Sequence, residues 1–523
     1  MNTKISLILL FLSFNLLVRA QKNELKTITE NDLRAHLEFV SSDYLQGRDF
    51  NSEVPGLEIT ANYLKAQCMK MGLKPGVEGY FQHVEMVSVV PDFKNTFCKL
   101  LDADRNELYS DSDIFSLGGS EKSDTITGDI VFAGYGWYND KTKYNDTEGM
   151  NLKGKVVLVM TRNLESVKEG GKIEANTEMR KMQKAMMGGA KAIILVPDPM
   201  NDNASILKEI KKYSSGGMFH LKEDNSRLSV PMQMIFGTEQ LANEILKETG
   251  KTLADLQKEI NESGSPKSFE VKECKAQIQL AKETISIDGK NVIAIVEGSD
   301  PVLKNECVVI SAHYDHIGMN ENGEVYNGAD DNGTGTVALL EIAEAFQGMK
   351  TKPKRSIVFV WVTAEEKGLF GSNYYSQHPV IPLANTLADI NLDMVGRSAE
   401  NEPEKGDEMS KQLAGPNGLY IVSGKQSSEL MKISDEVCKE LGLVPSDDLT
   451  KEFLTRSDYF HFYKNGVPIL GLSTGMHDDY HKTTDEIEKI DFTKMKRVAQ
   501  YSFLVAYQVA NQKNRITVDN PEE

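Results

Sequence analysis

Cysteine is scarce. The 523 residues hold five, Cys68, Cys98, Cys274, Cys307 and Cys438, and no CxxC or other tight pair occurs among them. A cysteine-built zinc site therefore has no support in the spacing, and at most two disulfides could form. Cys307 opens an apolar run and reads as a packed small hydrophobe. Basic charge is also in deficit, with 59 Lys and Arg against 77 Asp and Glu, a net −18. Nucleic-acid binding needs basic patches, so no nucleic-acid partner is expected. The acidity speaks to solubility instead. Long hydrophobic runs are missing too. The longest, Ile5 to Val18, is broken by serines and Asn15 and is too short for a comfortable membrane span. No internal repeat is evident. What is present is 40% hydrophobic residues, enough for real cores, in a chain too long for one ordinary domain.

Residues 1–20 read as a secretory leader. Lys4 supplies the positive start, Ile5–Val18 the apolar segment and Val18-Arg19-Ala20 a cleavage site, with Gln21 as the mature start. No cysteine follows for lipid attachment. The expectation is export, to periplasm or medium, with no stable membrane span after cleavage.

Three stretches follow. Residues 27–80 look helical: Thr29 caps a helix with Leu33, Leu37 and Val40 on one face, Leu45-Gln-Gly-Arg is a turn, and Leu57–Met71 is a second helix ending at Gly72. Residues 85–280 carry short apolar runs between turns, such as Val156-Val-Leu-Val-Met and Ala192-Ile-Ile-Leu-Val, with a helix over Met179–Met187 and loops near Ser214-Ser-Gly-Gly and Asn261-Glu-Ser-Gly-Ser-Pro. They read as a smaller β-rich domain without a metal-type cluster. Residues 285–515 alternate strand and helix. Cys307–Ser311, Ile357–Val362, Ala388–Leu392 and Val467–Leu472 read as buried strands, Val337–Phe346 and Phe492–Val509 as helices. The predicted fold class is α/β, a mixed central sheet flanked by helices, with a β-rich insert.

Chemistry concentrates at the ends of those strands, where open α/β sheets place their sites. His313 follows Val308-Val-Ile; Glu365 and Glu366 follow Ile357–Val362; Asp393 closes Ile390-Asn-Leu; His481 lies in the loop after Val467–Leu472. One such residue would mean little, since a lone histidine is usually a satisfied polar residue. Several strand ends delivering ligand-type residues together point to metal. With Asp331, two imidazoles and three carboxylates suit a pair of zinc ions. Asp315 is placed to orient the His313 ring as a supporting carboxylate. Of the doublet Asp330-Asp331, one could bridge two metals and the other cap a helix. If Glu366 binds metal, Glu365 is free to act as general base. His316 and His477 read as loop residues.

These residues resemble the di-zinc aminopeptidase family that also holds glutamate carboxypeptidase-like and glutaminyl cyclase-like members. The likeness is carried by Ala312-His-Tyr-Asp, Gly328-Ala-Asp-Asp-Asn-Gly-Thr-Gly, Ala364-Glu-Glu-Lys-Gly-Leu-Phe-Gly-Ser, Asn391-Leu-Asp-Met and Tyr480-His-Lys-Thr-Thr-Asp, in that order, over residues 285–515. It implies a zinc exopeptidase-like fold. It also implies one zinc on His313 and Asp393, a second on Glu366 and His481, Asp331 bridging them, Glu365 as general base and Asp315 as the supporting carboxylate of His313. Arg456-Ser-Asp-Tyr-Phe resembles the segment lining the family's substrate pocket, so Ser457, Asp458 and Tyr480 are candidate substrate contacts, although Asp458 could equally cap a helix. Residues 96–280 resemble a protease-associated domain, through Ile126-Thr-Gly-Asp-Ile-Val-Phe-Ala-Gly-Tyr-Gly and Leu152-Lys-Gly-Lys-Val-Val-Leu-Val. The peptidase domain would then be discontinuous, 22–95 and 281–515.

The implied activity is that of an aminopeptidase on peptide substrates. A carboxypeptidase, a cyclising acyltransferase, or a non-catalytic receptor-like protein on the same fold are the alternatives. The full ligand set argues against the last. One conflict is built in: Asn332-Gly-Thr is a glycosylation sequon inside the proposed site.

Overall fold

The computed structural model describes residues 24–116, 123–200, 208, 210–211, 214, 217–223, 232–399, 412–422 and 427–520. The expected leader, residues 1–20, lies outside the described residues, as does part of the loop around Ser214. Among the described residues no helix is long and apolar enough to cross a membrane.

The chain divides into two units: Met1–Glu85 with Asp288–Glu523, and Met86–Ile287. The boundaries fall at 85 and 288 rather than at 95 and 281. The reason is that the chain passes between units on two long strands, Phe81–Pro91 and Lys282–Val296, which a reading of turn residues does not divide.

In the first unit, Thr29 accepts from the Asp32 N–H and starts the helix Glu30–Val40. The next helix, Gly56–Met71, ends on Gly72 in the left-handed region (φ 75°). Four strands form the parallel heart of the sheet, in the order Ser356–Val362, Cys307–His313, Thr386–Leu392, Ile469–Ser473. Lys282–Val296 pairs antiparallel with Ser356–Val362 at one side, and Gly418–Val422 pairs antiparallel with Ile469–Ser473 at the other.

Every residue of the three strands Cys307–His313, Ser356–Val362 and Thr386–Leu392 is buried. Alternate side chains serve two cores. Val308, Ile310, Ile357, Phe359 and Trp361 pack with the helices Glu30–Val40, Gly335–Gly348 and Phe492–Asn511. Val309, Val358 and Val360 pack with Tyr375, Tyr459 and Phe462 on the opposite face. Burial on both faces is why these strands read as continuous apolar runs rather than alternating ones. Because the four central strands run parallel, their carboxyl ends all open on one edge.

The second unit holds an eight-stranded sheet. Asp124–Phe132, Val156–Met160, Ala192–Val196 and Gln233–Phe236 are neighbours in parallel, while Phe97–Leu101 and Phe269–Leu280 add antiparallel pairing. The helix Ala175–Met187 and the helices Glu239–Leu246 and Leu253–Ser263 belong to this unit. Its interior carries two ion pairs, Arg162–Asp198 at 2.6 Å and Lys181–Glu178 at 2.8 Å. All five cysteines of the chain are buried free thiols.

Candidate metal centre

The carboxyl edge of the sheet carries the chemistry. His313 is the last residue of its strand, in register with Val362. Past Val362 the backbone turns at Ala364 (φ 55°) and delivers Glu365 and Glu366. Asp393 follows Leu392 directly and precedes Met394 (φ 56°), and His481 itself sits at φ 54°. Left-handed backbone at non-glycine residues is uncommon, and here it sits at or beside the ligand-type side chains.

Asp331 lies at the centre. Its Oδ1 is 3.5 Å from His313 Nε2, and its Oδ2 is 3.1 Å from His481 Nε2. His313 Nε2 is also 3.5 Å from Asp393 Oδ1 and 4.0 Å from Glu365 Oε2. His481 Nε2 is 3.2 Å from Glu366 Oε2. The donors therefore form two groups, His313 with Glu365 and Asp393, and His316 with Asp331, Glu366 and His481. One carboxylate has an oxygen facing each histidine.

The donor set fits zinc. Zinc bonds of ~2.0–2.1 Å in a tetrahedron imply ligand-to-ligand edges of ~3.3–3.4 Å. The separations of 3.1, 3.2, 3.5 and 3.5 Å bracket that edge. His481 Nε2 is buried and makes no aligned hydrogen bond despite two carboxylates at hand.

Electrostatics agree. Burial by itself would depress the His313 pKa, but Glu365, Asp393 and Asp331 outweigh it and hold the ring well above its ordinary value. His481 is lifted to about 10 against its burial by the Asp331 and Glu366 carboxylates that face it. Burial raises Glu365 well above the usual carboxylate range, with Glu366 and Asp393 adding to it and His313 opposing. Glu366 is buried too, yet the His316 and His481 rings drive it well below. The carboxylate excess draws positive charge to the ring nitrogens, where a dication would take its place.

The supporting contacts are specific. The Asp315 carboxylate accepts the backbone N–H of Glu365 at 3.1 Å and of Glu366 at 3.2 Å. Its distance to His313 Nδ1 is 3.8 Å, whereas the Asp315 backbone carbonyl lies 3.2 Å from that nitrogen. The carboxylate thus fixes the loop carrying the two glutamates, and the carbonyl sets the imidazole tautomer. Asp485, four residues beyond His481, accepts from the N–H groups of Asp330 and Asp331. Asp330 itself faces His477 at 3.2 Å rather than the centre. The other member of the doublet, Asp331, is the one at the centre.

Arg48 secures the approach loops. The residue is 1% exposed, and its guanidinium donates to four backbone carbonyls, those of Val40, Tyr314, Asn327 and Gly328. The sequon asparagine is consumed structurally. Asn332 is fully buried, donates to Leu392 O at 2.8 Å and accepts from Gly335 N and Met394 N. A glycan has no place there.

A cleft open to solvent lies over the centre. Asp331, Glu365, Glu366 and Asp393 line it together with Met394, Phe453, Leu472 and Met476. Ser457 and Tyr480 reach its wall, with Tyr480 stacked on His481 at 3.9 Å between centroids. Asp458 does not line the cavity. It is fully buried, makes no side-chain cap on the helix Tyr459–Lys464, and its carboxyl is pushed up to about 7 by burial. His316 and His477 lie in loops, as expected of them, yet both are fully buried, and His316 joins the centre.

Imidazoles and carboxylates gathered at the carboxyl edge of a parallel sheet make this a candidate zinc centre. Comparison with known proteins agrees: residues 291–506 match Peptidase family M28, and that segment carries the site. Leucine aminopeptidase 2 of Trichophyton equinum is 30% identical over 200 residues, which cover 38% of this chain and 36% of the relative. The match thus spans about a third of the curated relative's length. Among solved structures, the aminopeptidase from Aneurinibacillus sp. strain AM-1 superposes with a TM-score of 0.53 at 19% identity, covering 95% of this chain and 98% of that one. A zinc aminopeptidase from Bacillus subtilis gives 0.50 at 18% identity, covering 94% and 96%. At those identities the likeness is one of fold.

Proposed function

We propose that this protein is an exported di-zinc metallo-exopeptidase, an aminopeptidase that removes N-terminal residues from peptides. The observation that carries the reading is the split Asp331 carboxylate, with His313 and Asp393 on one side, His481 and Glu366 on the other, and Glu365 beside them. The relatives named as aminopeptidases support the reaction, and the leader-like residues 1–20 support export.

In this reading His313 and Asp393 would hold one zinc and Glu366 and His481 the other, with Asp331 shared between them. Zinc so held lowers the pKa of water and polarises a carbonyl oxygen. Glu365 Oε2, 4.0 Å from His313 Nε2, takes the proton of the attacking water and passes it to the leaving amine. Asp315 keeps Glu365 in place through the backbone N–H groups of both glutamates. Burial raises the Tyr480 pKa far above its ordinary value, so this lining residue keeps its hydroxyl proton and could donate to an oxygen gaining negative charge. The residues Met86–Ile287 act in this reading as a non-catalytic, protease-associated module.

The test is one peptide in free and N-acetylated form, given to the zinc-loaded mature protein. Stepwise release from the free form alone is expected. Cleavage of both forms, or of neither, would move the function to a carboxypeptidase or to a non-peptidase reaction.

A further inference from the structure

His316 belongs to the grouped donors of this edge but lies outside the proposed ligand set. It is fully buried and its backbone N–H donates to Arg48 O at 3.1 Å. Its ring lies against Gly328, where even a Cβ would come within 2.5 Å of Cδ2. The ring packs edge-on to His481 at 5.7 Å between centroids. Such a ring has little freedom to rotate.

Glu366 meets two histidines with two different oxygens. Oε2 is 3.2 Å from His481 Nε2, whereas Oε1 is 2.8 Å from His316 Nδ1. The first separation matches an edge between two ligands of one zinc, ~3.3–3.4 Å. The second is too short for that edge and is the length of a charge-assisted N–H to O bond. His316 Nδ1 is also 3.9 Å from Asp331 Oδ2, longer than the edge. Distance therefore separates the two histidines into different roles.

We propose that His316 is a positioning residue of this centre. It donates from Nδ1 to Glu366 Oε1 and locks the rotation of that carboxylate. Oε2 alone is then presented toward Asp331 and His481, and would be the Glu366 oxygen left to hold zinc. This rests on the di-zinc reading above. A hydrogen bond to a ligating carboxylate is typically worth 10–100-fold in metal affinity.

The experiment measures zinc content and affinity by competition with a chromophoric chelator, on the full mature chain, in the parent and in His316→Asn, His316→Gln and His316→Ala. An asparagine amide reaches the position of Nδ1, while a glutamine amide reaches one bond too far. The expected result is two zincs in the parent, a ~10–100-fold weaker second zinc in the Gln and Ala variants, and affinity within a few-fold of the parent in His316→Asn. Visible spectra of the cobalt-substituted proteins are expected to change in Gln and Ala and not in Asn. Unchanged zinc affinity in His316→Gln overturns the proposal, as does equal loss in Asn and Gln, which would make the ring itself a ligand. A parent that takes up fewer than two zincs overturns the di-zinc reading instead, so the two failures are distinct. Gln and Asn keep a polar side chain of similar bulk, so the comparison stands even where Ala does not fold.

Discussion

Replacing Arg48 by methionine is expected to cost the first unit about 3–5 kcal/mol of stability, the range for removing one partner from a buried charged contact. The guanidinium makes four hydrogen bonds to carbonyls, at 2.9 Å to Tyr314, 2.7 Å to Val40, 2.6 Å to Asn327 and 3.0 Å to Gly328. A hydrogen bond involving a charged group is worth ~1.5–3 kcal/mol net, and a buried carbonyl left without a partner costs ~1–3 kcal/mol. Four such terms are not additive, because they share one side chain and the loops relax together. Burial pulls Arg48 down to about 10, so it is still a cation at neutral pH, attracted by Asp331, Asp315 and Asp485. Its loss therefore also leaves those carboxylates less compensated. The assay is urea unfolding followed by tryptophan fluorescence. Trp361 is buried in the first unit and Trp137 belongs to the second, so a Trp137→Phe background isolates the unit of interest. The reading is a shift of the midpoint at constant slope. Lysine, a point charge without the planar fork, should recover less than half of the loss. A cost below about 1 kcal/mol for Arg48→Met would refute the claim that this side chain braces the ligand loops.

Glu365→Gln is expected to keep both zincs while kcat falls by ~10²–10⁴-fold, and full turnover in that variant would remove Glu365 from the reaction. Glu341 gives a prediction in pH. Its side chain is buried, with Oε1 3.6 Å from His36 Nε2, and burial raises its carboxyl from 4.5 to about 8. Between those values the folded chain binds more protons than the unfolded one, so this group's contribution is full below its unfolded pKa and is lost as pH rises through about 8. Glu341→Gln, neutral throughout, is expected to match the parent in thermal melts near pH 4 and to exceed it near pH 9. An equal difference at both pH values would show that the carboxyl does not titrate across this window.

Much of this was legible beforehand, for physical reasons that differ by residue. Val308, Val309 and Ile310 betray their strand because both faces are covered, so no polar position interrupts them. His313, Glu366 and Asp393 could be read because a parallel sheet sends its strand ends to one edge. Asp315 reads from the sequence as a carboxylate that orients the His313 ring, yet its carboxylate holds the backbone N–H groups of Glu365 and Glu366, a pairing made across 50 residues that local spacing does not encode. His316 reads as a loop histidine because what buries it, Arg48 and Gly328, lies 268 residues before it and 12 after. His477 is the same case, set by its partner Asp330. Asn332 matched a modification motif by local sequence alone, and only its three hydrogen bonds reveal that the amide is already in use.

The discontinuity of the first unit has a consequence during synthesis. The helices Glu30–Val40 and Gly56–Met71 leave the ribosome with Leu33, Leu37 and Leu64 uncovered, because their packing partners begin beyond Asp288. At ~5–20 residues per second, that wait is tens of seconds. About 200 residues lie between the two pieces, and closing a flexible loop of that length costs ~5 kcal/mol in entropy. A second unit that has already folded removes most of that cost by turning the loop into a rigid body. Lesions in Met86–Ile287 should therefore reach the metal centre as low yield and aggregation of newly made chains, well before they alter any contact of the finished site.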